Sequence, residues 1–337
     1  MKTILKLIGG LLVLAVLGVV ALVTTCALRW PRNYPDVPMP AITASTDPEV
    51  IARGKYLVHA VAHCTACHTP FADTLASKPG DVLSPKGGFE WKMGPLGTIR
   101  SANITPDPRT GIGNHSDGEI ARAIRHGVKK NGNGALFMFG VGPMSDEDLT
   151  AVVSYLRTIP PVENAVPPSE FGLLGKILFQ GPMAFFARPH TYEQVPYVAP
   201  GGRSLERGRY LAEGPAFCAG CHSEYEDDGE AIVFVGPKFA GNRTNPVPDE
   251  LEPEYAFYPP NLTPDPQTGR MAGWNEQKFI ERMRAGRVWP GSPMAWESYR
   301  NMTDEDLGSL WDYLSSLPPT VRNVGEPRRK PDEELDD

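Results

Sequence analysis

The sequence predicts a mainly α chain: two tandem copies of one small helical domain behind an N-terminal transmembrane helix. Three observations predict it. An uncharged apolar run of 22 residues, Leu7–Leu28, stands near the start. A long internal repeat follows, offset by 154 residues at Cys64 and Cys218 and by 158 at Ser145 and Thr303. Within each copy, apolar residues recur at helical spacing between capping signals. The segments are an anchor at 1–28, a first domain at 47–161, a linker at 162–202, a second domain at 203–320 and an acidic tail at 321–337.

The chain has 337 residues, enough for two ordinary domains, with 41% hydrophobic and 22% charged residues, as in globular proteins. Its 34 glycines and 35 prolines predict much loop and short helices. The net charge is −7, without basic clusters, which argues against nucleic acid as a partner. The acidic end Pro331–Asp337 reads as a solvated, disordered tail.

Leu7–Leu28 is long enough to span a hydrocarbon core as a helix. A cleaved signal peptide has the same polarity but usually a shorter apolar region, so length favours an uncleaved anchor. Lys2 and Lys6 favour an N-terminus inside and the rest outside, although Arg29 and Arg32 blunt the bias. The expected location is the inner membrane, single-pass, with the domains facing the periplasm. Cys26 could carry a lipid, but Val23-Thr24-Thr25 makes a poor lipoprotein cleavage site; otherwise it is a small apolar residue.

The repeat is read element by element. Asp47-Pro48 caps a helix running toward Cys64. Arg53-Gly54-Lys55-Tyr56-Leu57 answers Arg207-Gly208-Arg209-Tyr210-Leu211. Asn103-Ile-Thr-Pro-Asp-Pro-Arg-Thr-Gly111 answers Asn261-Leu-Thr-Pro-Asp-Pro-Gln-Thr-Gly269. Ser116 and Glu119 form a capping box for a helix ended by Gly127; Asn275, Phe279, Ile280, Met283 and Gly286 repeat that pattern. In the last helix Ser145 caps, Leu149, Val152, Val153 and Leu156 form the stripe, and Pro160-Pro161 stop it. Thr303, Leu307, Leu310, Trp311, Leu314 and Pro318-Pro319 match it.

Four of the five cysteines fall in Cys64-Thr-Ala-Cys67-His68 and Cys218-Ala-Gly-Cys221-His222. Cys-x-x-Cys-His is the attachment pattern of c-type haem. Thiols about one helical turn apart can each add to a porphyrin vinyl group, and the adjoining histidine supplies the proximal nitrogen. A redox dithiol, a four-cysteine zinc site or two disulfides would each leave the matched histidines unexplained. Two covalently bound haem c groups are expected. A helix bearing the haem motif, crossed by a C-terminal helix, describes the class I cytochrome c fold.

Methionine is the usual second ligand of an iron that only transfers electrons. Met144 and Met302 precede the N-caps Ser145 and Thr303 and pair with Leu149 and Leu307 as hydrophobic staples. Met138 and Met294 have no such task. They follow their histidines by 70 and 72 residues, in glycine-, proline- and aromatic-rich loops suited to wrapping a haem face. The expected iron ligands are therefore His68 with Met138 and His222 with Met294. His59, His63, His115, His126 and His190 lack full counterparts between copies and read as surface or packing residues.

The haem motif, the Asn103-Ile-Thr-Pro-Asp-Pro-x-Thr-Gly-Ile-Gly loop and Ser145-Asp-Glu-Asp-Leu together resemble the cytochrome subunits of membrane-bound alcohol and gluconate dehydrogenases. The resemblance covers nearly all of 47–320, and the proline loop narrows it to this family. It implies periplasmic haem domains that accept electrons from a dehydrogenase subunit and pass them to quinone or another cytochrome. It also implies Met138 and Met294 as ligands. Those subunits usually carry three haems, whereas this sequence has two motifs, which favours a general electron shuttle of the same family.

Three expectations remain open at this level. Asn103, Thr105, Asn261 and Thr263 could bind haem propionates, with Arg100 nearby, or could be turn chemistry alone. The apolar stretch Phe171–Ala187 packs across the domains or offers a greasy surface to a partner or the membrane. A non-enzymatic electron carrier, serving a dehydrogenase subunit, another cytochrome or an oxidase, competes with a di-haem peroxidase and with the electron-delivering subunit of a terminal oxidase. Both copies offer the same methionine and neither shows a distinct acid–base set, which speaks against the peroxidase.

Overall fold

A helix exposed along most of its length leads the chain: α1 (Lys2–Leu28) carries an apolar stretch at Lys6–Leu28 and meets the rest of the chain only near its end. The computed structural model describes residues 2–138, 140–190, 198–227, 232–331 and 333. After α1 the first half contains α2 (Pro48–Tyr56), α3 (Cys64–Cys67), α4 (Phe71–Ala76), β1 (Glu90–Lys92), β2 (Gly97–Arg100), α5 (Asp117–His126) and α6 (Asp146–Thr158). Then come β3 (Glu170–Phe171) and α7 (Leu173–Leu178). The second half contains α8 (Leu205–Glu213), α9 (Cys218–His222), β4 (Tyr225–Asp227), β5 (Ile232–Phe234), β6 (Val247–Pro248) and β7 (Ala256–Phe257). It ends with α10 (Glu276–Arg284), α11 (Trp296–Tyr299), α12 (Asp304–Ser316) and β8 (Arg328–Arg329).

The caps read from sequence hold their helices. Asp47 accepts from the Glu49 N–H at 2.8 Å. Ser116 and Glu119 satisfy each other's backbone donors, and Gly127 closes α5 in the left-handed region. Ser145 and Thr303 accept from the N–H groups of Asp148 and Asp306. Met144 and Met302 are fully buried beside those caps, as a staple requires.

In each half the first helix crosses the last. A Cβ on Gly54 would lie 1.9 Å from the Ala151 carbonyl oxygen, and one on Gly208 would lie 1.9 Å from that of Ser309. Only glycine lets the backbones approach so closely. Leu57, Val58 and Val61 fill the seam with Leu149, Val152 and Leu156; Leu211, Leu307 and Leu310 do so in the second half. One apolar cluster runs through both halves.

A reciprocal exchange joins the halves. Tyr56 donates to Asp306 at 2.7 Å and accepts from the Thr303 N–H, while Tyr210 donates to Asp148 at 2.7 Å and accepts from the Ser145 N–H. Each carboxylate is also held by an arginine of its own half, Arg53 on Asp148 and Arg207 on Asp306. Buried charges are tolerable only when paired this fully. The two motifs are thereby set at fixed relative positions.

The structure departs from the sequence reading in four places. The helix expected to run toward Cys64 breaks: a π turn, Leu57–Val61, follows α2, and His63 turns left-handed with φ 43°. Phe217 does the same before Cys218, with φ 54°. Among the described residues three small antiparallel sheets, ordered β1-β2-β3, β4-β5 and β6-β7-β8, went unpredicted because their strands have at most four residues. The start of the linker belongs to the first half, since β3 pairs with β2 and Asn164 donates to the Lys86 carbonyl. The segment after Pro319 is fastened by β8 against β7; residues 332 and 334–337 of the expected disordered tail lie outside the described residues.

Candidate functional site

The left-handed residue before each cysteine pair starts a short helix that brings both thiols and the next imidazole together. Cys64 and Cys67 lie in α3 with His68 as its C-cap; Cys218, Cys221 and His222 lie in α9. Each imidazole is aimed by a backbone carbonyl: His68 Nδ1–H donates to Ala102 at 2.8 Å, and His222 Nδ1–H donates to Pro260 at 2.9 Å. The acceptor fixes the tautomer and leaves Nε2 as the free lone-pair donor. Burial holds both imidazoles below their ordinary pKa, so they stay neutral and able to ligate.

Burial also pushes the thiols up, Cys64 and Cys218 to about 12, Cys67 and Cys221 to about 11. Among the described residues no three His, Cys, Asp or Glu side chains are grouped to hold a metal ion. Two thiols and one oriented imidazole per half fit a covalently attached haem, which the thiols would hold as thioethers and to whose iron Nε2 would bind.

The acceptors Ala102 and Pro260 directly precede the Asn-x-Thr-Pro loops, which explains those loops. Asn103 accepts from the Thr105 N–H and hydroxyl and donates to the Val162 carbonyl; Asn261 does the same with Thr263 and the Thr320 carbonyl. All four side chains are buried and spend their hydrogen bonds within the loop and on the carbonyl beyond the last helix, Asn103 also donating to the Thr110 hydroxyl and Asn261 to that of Thr268. Turn chemistry wins over propionate binding. Arg100 is occupied by Glu90 and Glu170.

Met138 lies partly exposed in the loop between α5 and α6, and Met294 lies partly buried just before α11. Each loop is clamped by an arginine that sequence reading passed over. Arg125 donates to the Gly142 and Met144 carbonyls and to Asp146; Arg284 donates to the Arg300 carbonyl and to Asp304. The partial match around His126 was the available signal.

Each loop also meets the other half's motif. A Cβ on Gly140 would lie 2.8 Å from the Phe217 ring, and Tyr299 stacks edge-on with His63 at 5.6 Å. The Tyr299 hydroxyl donates to the Ala216 carbonyl at 2.7 Å and lies 3.3 Å from His63 Nδ1. Burial, then the thiols Cys218, Cys221 and Cys67, raise its pKa. Tyr299 therefore stands between the two motifs. His59 lies 2.9 Å from the Tyr155 hydroxyl, and His126 Nδ1–H donates to the His190 carbonyl, so both serve packing.

No family model matches the chain. It is 31% identical over 304 residues to the cytochrome c subunit of the quinone alcohol dehydrogenase of Gluconacetobacter polyoxogenes, covering 85% of this chain and 59% of that protein. It is 28% identical over 302 residues to the fructose dehydrogenase cytochrome subunit of Gluconobacter japonicus, covering 85% and 56%. The chain is a homologue of dehydrogenase cytochrome c subunits. A diheme cytochrome c-type protein of Cereibacter sphaeroides is 28% identical over 295 residues, covering 81% of this chain and 90% of that protein. The chain thus spans about three-fifths of the dehydrogenase subunits it matches and most of a two-haem relative.

Proposed function

We propose that this cytochrome carries electrons at the periplasmic face of the inner membrane, through two covalently bound haem c groups, between a dehydrogenase or quinol donor and a downstream acceptor. The observation that carries the reading is the duplicated thiol pair whose adjoining imidazole has its Nδ1–H committed to a backbone carbonyl. Cys64, Cys67, Cys218 and Cys221 hold the groups, His68 and His222 bind through Nε2, and Met138 and Met294 supply the opposite thioethers. Bound in this way, haem iron exchanges one electron without substrate or proton transfer. The residues around it orient the imidazoles, keep water from the cores and hold the halves at fixed spacing, which is what a carrier needs.

The apolar α1 and the dehydrogenase relatives support the location and a dehydrogenase as redox partner; another cytochrome or an oxidase serves as the acceptor. Visible spectra of the reduced protein, taken with and without carbon monoxide, test the reading. Two saturated irons leave the spectrum unchanged. Ready binding at one iron would replace the carrier with the di-haem peroxidase.

A further inference from the structure

The first 28 residues and the linker, far apart in sequence, meet in space. Directly after the apolar stretch ends at Leu28, Trp30 packs on Phe171 at 4.8 Å and on Phe179 at 6.0 Å between ring centroids. Gln180 donates its Nε2–H to the Cys26 carbonyl, within the last turn of α1, and to Lys176 at 2.9 Å. The exit strand is fastened as well: Tyr34 N–H donates to Gly132 at 2.7 Å, Asn33 donates to Asn131 at 2.7 Å, and Gly134 N–H donates to Arg32 at 3.2 Å. The end of α1 is thus bolted to the linker and to the strand that leads into the Met138 loop.

On that junction α7 turns its apolar side outward. Gly175 and Phe179 are buried inward, Gly175 so tightly that a Cβ would meet the Leu96 carbonyl oxygen at 2.1 Å. Leu173 and Leu174 point away and are 52% and 48% exposed. Arg29 and Arg32, exposed on the segment that leaves α1, and the half-buried Lys176 of α7 lie on the two elements that meet at this junction. The Gln180–Cys26 hydrogen bond sets this surface beside the end of the α1 apolar stretch, which is uncovered over most of its length. A bilayer that surrounds α1 meets water at this level, and basic side chains at that depth face anionic headgroups.

We propose that α7 is a second foot on the membrane: Leu173 and Leu174 enter the acyl boundary of an anionic bilayer beside the anchor. The inference rests on the reading of α1 as a spanning anchor and adds to it an interfacial contact. Its consequence is positional. Phe137 N–H donates to Phe186 at 3.0 Å, and the Phe137 ring lies 4.8 Å from that of Phe186 and 4.5 Å from that of Trp91. The Met138 loop is therefore held at a set height above the lipid, while Met294 lies on the other half.

The test uses the full-length protein with Cys26→Ser, alone in liposomes of phosphatidylcholine and phosphatidylglycerol. Single cysteines are introduced as Leu174→Cys, as Val16→Cys within α1, and as Val321→Cys on exposed surface. A membrane-impermeant maleimide is added and the modified position is located by peptide mass spectrometry. The inference expects protection at positions 174 and 16, with labelling at 321 that sets the outward-facing fraction. Labelling at 174 equal to that at 321, with 16 protected, overturns the foot and leaves the anchor standing. Labelling at 16 as well overturns both. A companion Leu174→Glu variant with unchanged visible spectrum should label an added Leu173→Cys several-fold faster; an unchanged rate counts against the inference.

Discussion

The Met138 and Met294 loops descend from one repeat yet stand in unlike surroundings. The first is roofed by Phe137, Phe186 and Trp91 and tied to the exit of α1. The second runs straight into α11, where Arg287 donates to the Met294 carbonyl and pairs with Glu297, and Tyr299 leans on the first half's His63. What is duplicated is a methionine at the same place in the repeat. What differs is the address: both loops meet the other half's motif, but the first is also tied to the exit of α1 and to the linker, whereas the second runs into α11.

The comparison breaks most directly at the methionines themselves. Met138→Ala and Met294→Ala should each open one iron to carbon monoxide while leaving both haems attached, as read by difference spectra. Binding after only one substitution would mean that the two loops do not play the same part.

Next come the helix crossings. Gly54→Ala and Gly208→Ala should each cost about 1–3 kcal/mol or more, because the added methyl meets a backbone oxygen that cannot swing aside. Thermal unfolding measures both; a loss under 0.5 kcal/mol at either, roughly the scatter of surface substitutions, contradicts the close crossing. The reciprocal tyrosines should cost less. Tyr56→Phe and Tyr210→Phe each leave a buried carboxylate one donor short, worth about 1–3 kcal/mol. Matched losses sharpen the symmetry, and an effect at one site alone would show that the exchange is not mutual.

How much of this could be read beforehand follows from distance along the chain. The Cys-x-x-Cys-His runs, the Ser116 box and the Ser145 and Thr303 caps are local, and residues a few positions apart specify them. The Arg-Gly-x-Tyr-Leu and Asp-Glu-Asp-Leu repeats were visible as repeats, but their meaning lay across the molecule. Tyr56 finds Asp306 at a separation of 250 residues, and no periodicity encodes that pairing. The left-handed His63 and Phe217 were illegible for another reason: non-glycine residues seldom adopt that conformation, and only the surrounding packing imposes it. The linker's composition declared it apolar, while its docking under α1 depended on Trp30 and Gln180.

The smallest effect concerns charge. Burial and Asp249 push the Glu250 carboxyl up to about 7 against the pull of Arg287, and its charge bears on Cys67 of the first motif; the Cys221 thiol is raised by burial alone. As pH rises through 7 the carboxyl ionises, and negative charge favours the oxidised state. The first site's reduction potential should therefore fall across that range more than the second's, and Glu250→Gln should remove the difference in a potentiometric titration. The folded protein holds this proton more tightly than the unfolded chain, so the same group lowers stability as pH rises from 4.5 to about 7. That slope should vanish in the same variant.

Intact mass of the purified protein after full unfolding tests the whole account. Two haems still bonded to one polypeptide, falling to one in Cys64→Ser/Cys67→Ser and to one in Cys218→Ser/Cys221→Ser, is the expected result. An unfolded chain that carries four free thiols at these positions and no added mass would contradict it.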